Sequence, residues 1–197
     1  MTPAAVLDLF RQSGALLDGH YRLTSGLHSP GYMQCALVLQ HPALAESLGQ
    51  AIGEWARELT PTVVLSPALG GVVIGHEAGR ALGVRALFAE RQDNVLTLRR
   101  GFTVSDRDRV LVVEDVLTTG GSTRETIDVA TRSGALVVGA ASIVDRSGGR
   151  LRFDVPFKAL LEYVLPTYEP GNCPLCAEGL PVTKPGSRIA DAPSPVT

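Results

Sequence analysis

Cysteine is scarce, with three in 197 residues. That excludes a disulfide framework and makes a cytoplasmic home the expectation. A basic excess is missing as well. The formal net charge is −2, so broad affinity for nucleic acid or for a membrane surface is not expected. There is no run of 18 apolar residues, and so no membrane-spanning helix is expected. The opening stretch, MTPAAVLDLFRQSGALLDGH, carries neither a basic leader nor a long apolar segment and does not read as a secretory signal. Internal repeats are absent, and so is the GxxxxGK(S/T) phosphate loop of P-loop proteins.

What is present is ordinary globular material, 45% hydrophobic and 19% charged. A chain of this length buries roughly 70% of the surface its unfolded form exposes, enough for one real core. Residues 3 to 13 read as a short amphipathic helix. Residues 15 to 39 alternate and are punctuated by Gly and Pro, the pattern of strands and turns. From Pro42 to Leu59 the spacing of Leu44, Leu48, Ile52, Trp55 and Leu59 predicts a helix with Pro in its first turn. A rhythm follows: strand 62 to 67, helix 71 to 82, strand 84 to 90, a polar stretch 91 to 108, strand 109 to 115, helix 121 to 133, strand 135 to 145. The strands are continuously apolar rather than alternating. An α/β fold with a mostly parallel sheet flanked by helices follows.

The most informative stretch is VLVVEDVLTTGGST, residues 110 to 123. Ligands bind at the carboxyl ends of parallel strands. There, Gly120 and Gly121 let successive N–H groups converge on one anion, and the following helix N-terminus adds partial positive charge. Residues 118 to 123 therefore read as a phosphate cradle. Glu114 and Asp115 would repel that same phosphate, but they suit hydroxyls a few ångströms away. A sugar phosphate answers both needs.

This run resembles the PRPP-binding motif of type I phosphoribosyltransferases. YRLTSGLHSPGYMQ (21 to 34) and SIVDRSGG (142 to 149) are similar to segments of the orotate phosphoribosyltransferases within that family. The resemblance covers about residues 5 to 170. It implies the type I phosphoribosyltransferase fold with a small N-terminal hood segment, about residues 1 to 40. It also implies a Mg²⁺-dependent pentosyl transfer: orotate and PRPP give orotidine 5′-phosphate and pyrophosphate, in de novo UMP synthesis. The resemblance places PRPP on Glu114, Asp115, Val116, Leu117, Thr118, Thr119, Gly120, Gly121 and Ser122, and its pyrophosphate on the loop of Ala68, Leu69 and Gly70. Orotate falls to Thr118, Arg146, Thr24 and Tyr32. Arg146 suits that role chemically, since its planar fork donates bidentately to a carboxylate. Residues 91 to 108 match the family's mobile loop, which serves the neighbouring subunit of a homodimer, and Arg91, Arg99 and Arg100 are its cations. Glu114, Asp115 and those three arginines are the catalytic candidates. Thr24 stands where many members carry Lys, and the loop is Arg-based. A purine phosphoribosyltransferase (xanthine, hypoxanthine or adenine) is therefore the alternative enzyme. From another class, the alternative is a PRPP-sensing regulator, against which the net charge counts.

From residue 171 the composition shifts to an irregular, Pro-rich tail, 171 to 197, with disorder expected over about its last ten residues. NCPLC puts Cys173 and Cys176 at CxxC spacing, two of the four ligands of a structural zinc site. His20, His28, His41 and His76 are scattered and show no local partner pair, so a second subunit is one source of the other two ligands. An unmetallated turn and, less well supported, a redox pair remain open. Cys35 reads as a small core residue.

Overall fold

The computed structural model describes residues 1–23 and 25–184. Thr24 and the expected disordered end lie outside the described residues. In chain order the elements begin α1 (Pro3–Gln12), β1 (Leu16–Arg22), β2 (His28–Met33), α2 (Cys35–Leu39), α3 (Pro42–Ala56) and β3 (Val63–Pro67). They continue α4 (Gly71–Leu82), β4 (Arg85–Gln92), β5 (Val95–Leu98), β6 (Arg109–Leu117), α5 (Gly121–Arg132), β7 (Leu136–Asp145), β8 (Phe157–Glu162) and the four-residue α6 (Pro174–Ala177). No helix among the described residues is long and apolar enough to cross a membrane.

The chain divides into two units. The larger comprises Met1–Ala15 and Gln34–Val164. Its six-stranded sheet runs β5-β4-β3-β6-β7-β8 and is parallel except for β5. The apolar runs are continuous because these strands are buried on both faces: Val63, Val64 and Leu65 in β3 and Val110 to Val113 in β6 are fully buried. Strand order reverses between β3 and β6, so the loops leaving those two adjacent strands face one crevice. That is where open α/β sheets bind ligands.

Three departures from the sequence reading have local causes. Cys35–Leu39, taken with the strands and turns, is helical, with Cys35, Val38 and Leu39 buried at i, i+3 and i+4. The polar stretch 91 to 108 opens as a hairpin rather than a loop. Asp93 (φ 51°) and Asn94 (φ 65°) both take left-handed conformations, the geometry of a two-residue turn whose twist matches the strands. Leu96 on β5 is buried and anchors it. The edge strand β8 was missed because FKALLE is short and half-buried, with no long apolar run to announce it.

The smaller unit joins Leu16–Met33 to the described residues from Leu165 on. Its hairpin pairs β1 with β2 antiparallel, with an irregularity between Asp18 and Tyr21. Both hairpin edges are occupied by the returning chain. Tyr168 exchanges two backbone hydrogen bonds with His28, each 2.8 Å long. On the other edge Arg22 N–H donates to the Thr183 carbonyl and Thr183 N–H to the His20 carbonyl. Edge strands are in this way kept from pairing elsewhere.

Candidate active site

β6 ends in the two acids and hands over to α5 through residues 118–120. Gly120 caps α5 with φ 74°, a conformation open to glycine at little cost. A Cβ there would also meet the Leu151 side chain at 3.1 Å. The residues from Thr118 to Ser122, with Glu114, Val116 and Leu117, line a small cavity of about 70 Å³. Ligand pockets for whole drug-sized molecules run to roughly 300 Å³ or more, so this one fits a single anionic group. N–H groups at the start of a helix favour a negative charge in such a place.

Behind the cradle the acids are held differently. Glu114 is buried, and Thr123 Oγ1 donates to its Oε2 at 3.0 Å. Burial pushes the Glu114 carboxyl up to about 8, the neighbouring Asp115 adds to this, and the Thr123 bond and the Arg91 charge pull the other way. At neutral pH the resting carboxyl is thus protonated, and it can both donate to and accept from a hydroxyl. The Asp115 carboxyl is also raised by burial, against which the backbone N–H groups of Asp115 and Val116 stabilise its charge.

The loop after β3 closes on the same acids. Ala68 N–H donates to the Ala89 carbonyl at 2.8 Å, Leu69 is 85% exposed, and the Ala68–Leu69 peptide is cis. A Cβ placed on Gly70 would stand 2.6 Å from Asp115 Oδ1. Glycine here is a requirement of space: the loop backbone and the Asp115 carboxylate are in direct apposition.

The three arginine candidates differ. Arg91 holds Glu125 of α5 bidentately, at 2.8 and 3.0 Å, and is near enough to Glu114 to act on its charge. Arg100 grips Glu90 bidentately, at 2.7 and 2.8 Å, and lies over the Phe88 ring. Arg99 is exposed beside the same Glu90. Arg146 leaves the end of β7, its N–H donating to the Leu117 carbonyl at 2.8 Å. Its guanidinium acts electrostatically on the Cys35 thiol, which burial pushes far up. Cys35 Sγ in turn lies 3.9 Å from the Asp115 carbonyl, so Arg146 belongs to the neighbourhood of the acid pair. Tyr32 is half-buried on β2, its ring 5.9 Å from that of Tyr21. Thr24 lies outside the described residues.

Sequence reasoning passed over Thr123 as a partner of Glu114, although its place two residues after Gly121 put it on the first turn of α5. It also passed over Glu125 as the holder of Arg91. The reading of the histidines is corrected: His20 and His28 are not scattered. One nitrogen of each lies with Cys173 Sγ and Cys176 Sγ in a group spanning no more than 4.8 Å, within the smaller unit of one chain.

A mainly parallel sheet with an acid pair and a Thr/Gly loop opening a helix at its switch point, faced by a glycine loop, is the type I phosphoribosyltransferase arrangement. Residues 36–169 match the phosphoribosyl transferase domain. Solved structures agree in fold. The orotate phosphoribosyltransferase of Aeropyrum pernix superposes with TM-score 0.68 at 24% identity, over 80% of this chain and 93% of that one. That of Mycobacterium tuberculosis H37Rv, in complex with PRPP, gives 0.66 at 25%, over 81% and 95%. Curated relatives are nearer in sequence. The orotate phosphoribosyltransferase of Heliobacterium modesticaldum is 53% identical over 190 residues, 95% of this chain and all of the relative. That of Chlorobium phaeobacteroides strain BS1 is 50% identical over 188 residues, 95% and 97%. The chain belongs to the orotate phosphoribosyltransferase family.

Proposed function

We propose that this protein transfers the 5-phosphoribosyl group from PRPP to orotate, releasing pyrophosphate and forming orotidine 5′-phosphate for pyrimidine synthesis. The observation that carries the reading is the anion cradle of residues 118–122 set against the buried pair Glu114 and Asp115. In this reading the 5-phosphate sits on the N–H groups and hydroxyls of Thr118, Thr119, Gly120, Gly121 and Ser122, with Val116 and Leu117 as the adjoining wall. Glu114 and Asp115 hold the ribose hydroxyls. As the bond to pyrophosphate lengthens, the sugar gains positive charge, and the Asp115 carboxylate lies where that charge develops, while Glu114 holds its hydroxyl by hydrogen bonding. Pyrophosphate leaves against the loop of Ala68, Leu69 and Gly70, through the N–H groups of Leu69 and Gly70, since that of Ala68 is held by the Ala89 carbonyl. Arg146, with Thr118, takes the planar, anionic base. Arg91, Arg99 and Arg100 clamp the leaving group, Arg91 and Arg100 once they exchange Glu125 and Glu90 for phosphate oxygens.

Mg²⁺ belongs to the same reading: the Asp115 carboxylate, joined by Glu114 once a cation's charge draws off its proton, is a hard oxygen donor of the kind it takes, and when bound it would neutralise pyrophosphate charge. We further propose a homodimer in which the hairpin of β4 and β5 serves the neighbouring site. A cytoplasmic setting would keep the three free cysteines reduced, and Cys173 and Cys176 are read as half of a structural zinc site. The test is an assay of PRPP consumption with orotate, xanthine, hypoxanthine and adenine in parallel, with and without Mg²⁺. Turnover confined to orotate and dependent on Mg²⁺ supports the reading. Turnover of a purine in place of orotate overturns it.

A further inference from the structure

The smaller unit has a problem of size. It comprises Leu16–Met33 and the chain from Leu165 on, and units below roughly 70 residues are commonly held together by a disulfide, a metal or oligomerisation. Its cysteines are free.

Four side chains converge in its interior. Cys173 Sγ is 3.6 Å and Cys176 Sγ 3.8 Å from His20 Nε2, and Cys176 Sγ is 3.3 Å from His28 Nδ1. The two ring nitrogens stand 2.8 Å apart. Tetrahedral zinc, with bonds of about 2.3 Å to sulfur and about 2.0 Å to nitrogen, sets sulfur–nitrogen edges near 3.5 Å, the middle of the observed spread. His20, His28 and Cys173 are buried, while Cys176 is exposed. No acid is among the four, so the donor set is soft and excludes magnesium or calcium as its natural guest.

A second observation fixes the chemistry. His20 Nδ1 lies 2.8 Å from the Leu180 carbonyl. A carbonyl only accepts, so Nδ1 carries the proton and donates it, leaving the Nε2 lone pair pointing at the cluster. That is how a metal-binding imidazole is normally held, by a hydrogen bond from its other nitrogen. One lone pair faced by a second nitrogen and two sulfurs has more neighbours than a single hydrogen bond serves. The short loop bearing Leu180 therefore orients one ligand, while Cys173, which caps α6, and Cys176, within it, supply two more.

We propose that His20 Nε2, His28 Nδ1, Cys173 Sγ and Cys176 Sγ of a single chain bind one structural zinc ion that staples residues 173–180 to the hairpin of β1 and β2. The site extends the zinc reading of the CxxC pair by naming its partners, and it removes the need for a second subunit to supply them. It is independent of which base the enzyme takes. Two of the four ligands are on the hairpin, so release of the metal would free both that hairpin and the segment crossing its edge at Thr183.

The test uses tag-free protein purified under reducing conditions from zinc-replete cells. Elemental analysis should find about one zinc per chain in the native protein. The variants His28→Ala and Cys176→Ser should lose it. Should either fail to fold, the wild type still decides: after chelation and reduction, added Co²⁺ should give the visible bands of a tetrahedral site and a thiolate charge-transfer band. Hydrogen exchange after chelation should rise across residues 16–23 and 25–33 and residues 173–183, with residues 109–117 unchanged. Zinc-free native protein that also takes up no cobalt overturns the proposal, as do variants that keep a full complement of zinc. Because metal content is read without any turnover, inactivity toward orotate would leave this result standing.

Discussion

Thr123 and Glu114 are joined by a hydrogen bond of 3.0 Å between the first turn of α5 and the end of β6. This bond ties the first turn of α5 to the acid pair, and it partly offsets the burial that keeps the Glu114 carboxyl protonated. A dependence of stability on pH follows. Folded Glu114 holds its proton to about 8, whereas its unperturbed value is 4.5. Between those values the unfolded chain binds fewer protons than the folded one, so stability falls as pH rises. The contribution is whole below the lower value and lost above the upper one. Glu114→Gln removes it. Measured by urea unfolding, the variant should gain on the wild type with rising pH, by at most about 1.4 kcal/mol per unit, then level off. A constant difference from about pH 5 to about pH 8 would show that Glu114 titrates normally.

Asp115→Asn keeps the shape of the acid pair and removes one charge. Placed against the ribose, that charge acts only as the sugar becomes cationic. We expect kcat/KM to fall at least about tenfold, roughly 1.4 kcal/mol, with the unfolding midpoint little changed. Near-native kinetics would take Asp115 out of the ribose site.

Gly70→Ala tests the apposition of the two loops. The backbone at Gly70 is right-handed helical (φ −57°, ψ −43°), so alanine brings no dihedral strain. The added methyl must instead displace the Asp115 carboxylate. KM for PRPP should rise by about tenfold while KM for the base changes less. Equal effects on both substrates would mean that the loop does not face the donor.

Arg146→Ala should raise KM for the base far more than KM for PRPP, because a bidentate donor to a carboxylate is lost. Equal changes in both remove Arg146 from the base pocket.

Arg91 and Glu125 form an exposed pair, with side chains 45% and 41% accessible, and such pairs contribute about 0 to 1 kcal/mol. Arg91→Ala should therefore leave stability within about 1 kcal/mol yet lower kcat/KM by about tenfold, whereas Glu125→Ala should leave kcat intact. An Arg91→Ala enzyme of normal activity would make this pair purely a surface contact.

The parts of the molecule that could be read from the chain are those whose signal is local. Val110 to Val113 running into Glu114, Asp115 and the Thr/Gly loop carries strand, carboxyl end and helix start within fourteen residues. The positions of α4 and α5 followed from the same grammar. What escaped depends on partners far away in sequence. β8 is a strand because β7 offers it an edge. The hairpin of β4 and β5 rests on the left-handed turn at Asp93 and Asn94, whose consequence appears only when Leu96 finds its core. His20 and His28 meet because the β1–β2 register and its irregularity near Asp18 bring them together, and the cysteines beside them lie 153 and 156 positions on from His20.

β3 and β6 are hydrogen-bonded neighbours through Val63–Val110, Val64–Leu111 and Leu65–Val112. The loops at Gly70 and Gly120 thus spring from two rails held about 4.8 Å apart by the deepest ladder in the sheet. Whatever spans them is measured against a gauge that surface change does not reach. Drift in the outer hairpin or in the helices can alter how tightly a guest is covered. Changing the span itself would require pulling apart the centre of the fold.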